Sequence, residues 1–385
     1  MMQSLLSSLA RLLGGGERGA VARRHSRAFR CRCGKQIFFR NSLCLNCQAP
    51  LGYIPTEAVL SPLEPGPHPG AWRADGRDDL LVFCANRTSA AGCNWMKAAD
   101  DPNPLCVACR LNRTIPNLDD PENARLWALI ERAKRRLVAE LLALELPLKS
   151  KVSEDPAHGL MFDFLRSPPG GPRVLTGHAD GLITLNVEEA DDARRERIRL
   201  DMREPYRTLL GHFRHEVGHY YWDRLVRDGP WLEPCRRLFG DDRVDYAAAL
   251  RANYDHGPPP DWADRYISAY ASSHPWEDWA ETWAHYLHVA DSLGTALGFG
   301  LTADDLDSDI EPFGRDALFD PDDPGAEHFL SLLNGWIEMT MVLNELARSL
   351  GEPDFYPFVM SRPVVAKLQF VHLVVRSGRG ASAPS

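Results

Sequence analysis

Eight of the nine cysteines in this chain fall between Cys31 and Cys109, and that clustering constrains its N-terminal third more than any other feature. Cys31 and Cys33, then ten residues, then Cys44 and Cys47 make two close pairs. Two such pairs can close a tetrahedron of thiolates around one Zn²⁺, and a segment with little core of its own can fold around that ion. Gly34, directly after Cys33, suits the tight turn of a zinc knuckle. Cys84, Cys93, Cys106 and Cys109 give one close pair and one loose pair. A second zinc fits them, and so do reduced buried thiols. No secretory signal precedes the cluster, so metal ligation is expected over disulfides. Cys235 stands alone beside Pro234 and Arg236 and reads as a partly buried structural thiol.

The remaining sequence is that of an ordinary globular protein. Its 385 residues, 44% hydrophobic and 25% charged, suffice for two or three domains. A net charge of −9 argues against a chain-wide nucleic-acid footprint. Residues 1–28 carry Arg11, Arg18, Arg23, Arg24 and Arg27 against the single acid Glu17 and read as a disordered basic tail, with an organelle transit peptide as the alternative. No apolar run approaches the ~20 residues that a membrane helix needs, so a cytoplasmic protein without a membrane partner is expected.

An α+β fold follows from the patterning. Residues 29–116 are expected to form a small cysteine-rich module with one or two Cys₄ sites. Residues 117–156 form a linking region, whose 120–147 stretch is an amphipathic helix on Leu126, Leu129, Ile130, Ala133, Leu137, Leu141 and Leu144. Residues 157–375 form a mainly helical domain with a small hairpin, and 376–385 a disordered tail. The hairpin strands are expected at 173–178 and 181–187, with the turn at His178-Ala179-Asp180-Gly181. Helices are expected from Glu204-Pro205 to about Val226, from near Ser273 to about Leu297, and over 325–348.

The first of those helices carries His215-Glu216-Val217-Gly218-His219. Histidines four apart project from one helical face and can bind one tetrahedral Zn²⁺. Glu216 is placed to reach a water at the metal rather than the metal, accept its proton and deliver it to a leaving amine. Catalytic zinc usually takes a third protein ligand. The segment 272–288 offers one, with Ser273 as N-cap and Glu277, Glu281, Ala284, His285 and His288 on one face. Glu277 is the expected ligand, with Glu281 in support by hydrogen-bonding a ligand histidine; the reverse assignment stays open. Asp278 points off that face, and His274 and His285 are weaker candidates. Tyr270, seven residues before Glu277, can either donate to an oxyanion or simply pack. Asp223, one turn after His219, can accept from that imidazole.

Residues 213–222, 239–246 and 270–281 together resemble bacterial zinc-binding metallopeptidases that carry an N-terminal zinc-ribbon domain, and the resemblance runs from about 29 to 350. The segment from Tyr270 to Glu281 is also similar to the third-ligand region of the anthrax lethal factor group of zinc peptidases. That similarity implies Glu277 as ligand and Tyr270 as an assisting residue. The implied molecule is a zincin-like, glutamate-zincin peptidase with one catalytic zinc, one or two structural zincs and a protein or peptide substrate. A competing reading is a zinc-ribbon binding module, presenting Phe38, Phe39, Arg40 and Trp95 to a protein partner, beside an inactive or non-peptide amidohydrolase domain. The alternation of basic and aromatic residues is too thin for a nucleic-acid surface. The oligomeric state is not legible.

Overall fold

The computed structural model describes residues 27–168, 170–201, 208–301 and 310–379, with only the backbone at 198, 200 and 201. The basic tail lies almost wholly outside the described residues. So do the helix start at Glu204-Pro205 and the end of the chain from 380. The described residues divide into two units, 27–201 with 208–213, and 214–379.

The first unit opens with the ribbon β1 (Phe29–Arg30) and β2 (Gln36–Ile37). An antiparallel meander follows: β3 (Leu51–Ile54), β4 (Val59–Pro65), β5 (Ala71–Ala74), β6 (Leu81–Phe83) and β7 (Met96–Ala98). Ile54, Leu63, Ala74, Leu81 and Met96 form its core. Phe39 and Trp95, expected to face a partner, pack inward on Tyr53 instead, each with its ring centroid 4.8 Å away. Aromatic rings bury 150–250 Å² each, so a small module gains more from enclosing them than from presenting them.

A second sheet has the order β10-β11-β9-β8, where β8 is Asn112–Thr114, β9 Met161–Leu165, β10 Gly177–Ala179 and β11 Leu182–Asn186. Helix α1 (Pro121–Ala143) belongs to the same unit. Asp120 caps it by accepting from the amides of Glu122 and Asn123. The expected hairpin is present, its first strand shortened to three residues, and Asp180 and Gly181 at positive φ make the turn. The units part at residue 214 rather than 157 because β8, just after the last clustered cysteine, pairs with β9. A short helix α2 (Asp192–Asp201) follows the sheet.

Helix α3 (Leu209–Leu225) carries the paired histidines. The second unit takes it from Arg214 onward and adds α4 (Leu232–Phe239), α5 (Tyr246–His256), α6 (Trp262–Arg265), α7 (Pro275–Gly298), α8 (Ala326–Ser349) and α9 (Arg362–Ser377). Helix α7 is central and touches α4, α8 and α9. Its N-cap is His274, not Ser273: the His274 Nδ1 accepts from the Trp276 amide at 3.0 Å. Trp279 and Trp283 are fully buried, and each contributes roughly 4 kcal/mol at ~25 cal/mol/Å². That offsets the several kcal/mol that each buried carboxylate on the same helix costs. Among the described residues, no helix is long and apolar enough to cross a membrane.

Candidate metal centre

Helices α3 and α7 approach so closely at Gly218 that a Cβ there would lie 3.1 Å from Ala280 Cα and 3.2 Å from Trp283 Cβ. The Trp279 indole donates to the Gly218 carbonyl at 2.9 Å and fixes the crossing. That contact sets His215 and His219 against Glu277. His215 Nε2 is 3.0 Å from Glu277 Oε2, and His219 Nε2 is 3.6 Å from Glu277 Oε1. The three donor atoms lie within 4.8 Å of one another. A tetrahedral zinc with bonds of about 2.1 Å separates its ligand atoms by about 3.4 Å, so two nitrogens and one carboxylate at these spacings fit the ion.

Glu281, one turn beyond Glu277, accepts from His215 Nδ1 at 2.7 Å and from the Ser268 hydroxyl at 2.6 Å. Burial opposes charge on both acids. The histidines outweigh it and hold Glu277 well below the usual carboxylate range, while His215 and Ser268 bring Glu281 down to about 2. Burial likewise opposes charge on His215, but Glu277 and Glu281 outweigh it and hold the imidazole well above its ordinary value. The pocket thus balances two imidazoles against two carboxylates.

Glu216 is half-buried, and its charge is felt by two phenols, Tyr246 and Tyr270. The Tyr270 ring lies 5.9 Å from that of His215. Tyr246 escaped the sequence reading as a site residue, yet its hydroxyl donates to Glu277 Oε1 at 2.7 Å. Burial, then the Glu277 charge, pushes both phenols above their ordinary range, so both are hydrogen-bond donors at neutral pH. Tyr246 is 31 residues from Glu277, and only its place in the segment 239–246 marked it.

The other candidates have structural surroundings. Asp223 forms an ion pair with Arg227. His274 caps α7, and its Nε2 faces the Val244 carbonyl at 3.1 Å. Asp278 is buried against Lys367 at 2.6 Å, and burial raises its carboxyl to about 7 despite that partner. His285 shares a 2.7 Å hydrogen bond with the Tyr356 hydroxyl, and burial lowers it to about 4. Cys235 is buried, which pushes its thiol up to about 12.

In the first unit the eight clustered cysteines form two sets of four, and no cysteine is in a disulfide. Sulfur pairs lie at 3.5 Å (Cys31 and Cys47), 3.7 Å (Cys33 and Cys44) and 3.8 Å (Cys93 and Cys106). A zinc–sulfur bond of about 2.3 Å gives a tetrahedral edge of about 3.8 Å, so both sets fit zinc. Backbone and Asn46 hydrogen bonds lower the Cys33 thiol to about 6. In the second set, Cys109 Sγ lies 3.8 Å from Glu131, itself 2.7 Å from Lys134, and both charged residues are fully buried.

Comparison with known proteins gives these clusters a context. Residues 123–374 match the family described as "Putative zinc-binding metallo-peptidase", and residues 28–120 match a zinc-ribbon domain. One uncharacterized protein of Mycobacterium bovis and two of Mycobacterium tuberculosis are each 42% identical over 353 residues, covering 91% of this chain and 95% of the relative. No solved structure matches the chain.

Proposed function

This chain belongs to that zinc-binding metallo-peptidase family, and on this premise we propose that it hydrolyses peptide bonds at a zinc held by His215, His219 and Glu277. The observation that carries the reading is the convergence of those three donors, with the charge of a further carboxylate, Glu216, felt at the same two phenols as that of Glu277. When bound, zinc supplies Lewis acidity, which makes water a nucleophile near neutral pH and polarises the scissile carbonyl. Glu216 takes the proton from the attacking water and passes it to the leaving nitrogen. Tyr270 donates toward the oxygen on which negative charge develops. Glu281, itself held by Ser268, fixes the His215 tautomer so that Nε2 faces the metal. Tyr246 performs the corresponding service for Glu277. The two cysteine sets hold structural zinc, which closes its coordination and takes no part in hydrolysis.

The test compares zinc-loaded wild type with Glu216→Gln on a proteome-derived peptide library. New N-termini should appear with the wild type and fall at least ~10³-fold with the variant, which should keep its zinc content and melting temperature. Equal cleavage by both proteins, or none by the zinc-loaded wild type, would sink the proposal.

A further inference from the structure

The first unit contains a cavity of about 210 Å³ whose walls carry four guanidinium groups, from Arg40, Arg132, Arg136 and Arg195. Arg132 and Arg136 sit one turn apart on α1, Arg195 comes from α2, and Arg40 lies four residues before Cys44. The cavity has one carboxylate, Asp192, which is paired with Arg195. Among the described residues no carboxylate lies within ion-pair distance of Arg40 or Arg132. The arrangement costs stability. Like charges at i and i+4 on a helix repel. Burial, then the charges of Arg132, Arg136 and Arg135, lowers Arg40 from its ordinary range.

Net positive charge of this density in a concavity is relieved by a multivalent oxyanion, whose oxygens match the fork of each guanidinium. A monovalent carboxylate could match only one of the two guanidiniums, Arg40 and Arg132, that have no carboxylate among the described residues. An extended nucleic acid needs a basic track, and a chain of net charge −9 does not favour one. The volume accommodates a diphosphate group, and Leu129, Leu209 and Leu210 add apolar lining. We propose that the arginine cavity binds a diphosphate group, free or as part of a nucleotide, independently of the zinc centres.

Calorimetric titration of the full-length, zinc-loaded chain at constant ionic strength tests this, with inorganic diphosphate and ADP as ligands and chloride as blank. Zinc content is measured after each run, because diphosphate also chelates metal. We expect saturable binding of one anion per chain, weakened at least tenfold in the Arg40→Gln/Arg132→Gln double variant. Tighter binding of ADP would assign a nucleotide, and equal or weaker binding the free anion; both outcomes support the site. Should the double variant lose zinc or fold, Arg132→Gln alone, altering an exposed side chain, must weaken binding at least threefold. No binding to the wild type, or undiminished binding to folded arginine variants, overturns the proposal; the latter would place the anion elsewhere, for example at a metal.

Discussion

Glu277 serves three neighbours with one carboxylate: His215 at 3.0 Å, His219 at 3.6 Å and the Tyr246 hydroxyl at 2.7 Å. On the proposed ligand set, removing the Tyr246 hydroxyl leaves the Glu277 oxygen less well oriented without altering the donors. Loss of an outer partner of this kind typically costs 10–100-fold in metal affinity or activity. Tyr246→Phe should therefore weaken zinc at this site about tenfold, read by competition with a chromophoric chelator. Tyr270→Phe should leave zinc affinity unchanged and lower kcat about 100-fold with little change in KM, if its hydroxyl meets the developing charge. An inverted pattern, with Tyr270 governing affinity and Tyr246 only kcat, would reverse the two roles. That His215 and His219 lie together was legible because both histidines share one turn of one helix. Tyr246 was not, because its contact depends on how α5 packs, which no local spacing records.

Between elements, the separation of α3 and α7 is set by an absent side chain. Alanine at 218 would gain about 1 kcal/mol of helix propensity over glycine, but the added carbon meets Ala280 backbone and Trp283 at 3.1–3.2 Å. Overpacking of this sort typically costs 1–3 kcal/mol, and backbone cannot swing aside as a flexible side chain can. Gly218→Ala should thus lose about 0–2 kcal/mol net in chemical denaturation and loosen zinc at the same time; a stabilised variant would refute the close-approach argument. A second joint ties the segment before α8 to α9, where Asp323 accepts from the Gly325 amide at 2.9 Å and pairs with Arg376. The Arg376 hydrogen bond holds the Asp323 carboxyl below its usual range, although burial acts against it. A depressed carboxyl stabilises the fold above its unfolded value of about 3.9, and the benefit disappears as pH falls through the folded value. The melting-temperature deficit of Arg376→Leu should therefore be greatest near pH 7 and shrink as pH falls below the unfolded value of about 3.9.

For the molecule as a whole, pattern in the sequence identified the α+β class, the long helices and the cysteine-rich N-terminal region. Helix α1 is confined to Pro121–Ala143 within the expected 120–147, because Asp120 caps it and the chain turns after Leu144. The five-stranded meander was not foreseen: its strands are three to seven residues long, too short for an alternating pattern to show. Helices α4 and α5 were likewise missed, being 8 and 11 residues long. The compact units divide at 214 rather than at 157 because a parallel pair of strands brackets α1, a long-range relation invisible to periodicity.

The Trp276 indole, with its ring centroid 3.9 Å from that of His219, gives the protein a built-in optical reporter. Indole emission responds to the charge and electron demand of an imidazole in contact with it, and metal ligation changes both. Stepwise return of zinc to metal-depleted protein should therefore shift or quench emission in proportion to filling of the histidine site, and Trp276→Phe should abolish that response while zinc uptake remains. Filling of the cysteine sets should leave this signal unchanged, so one unlabelled chain can report which of its zinc centres loads first.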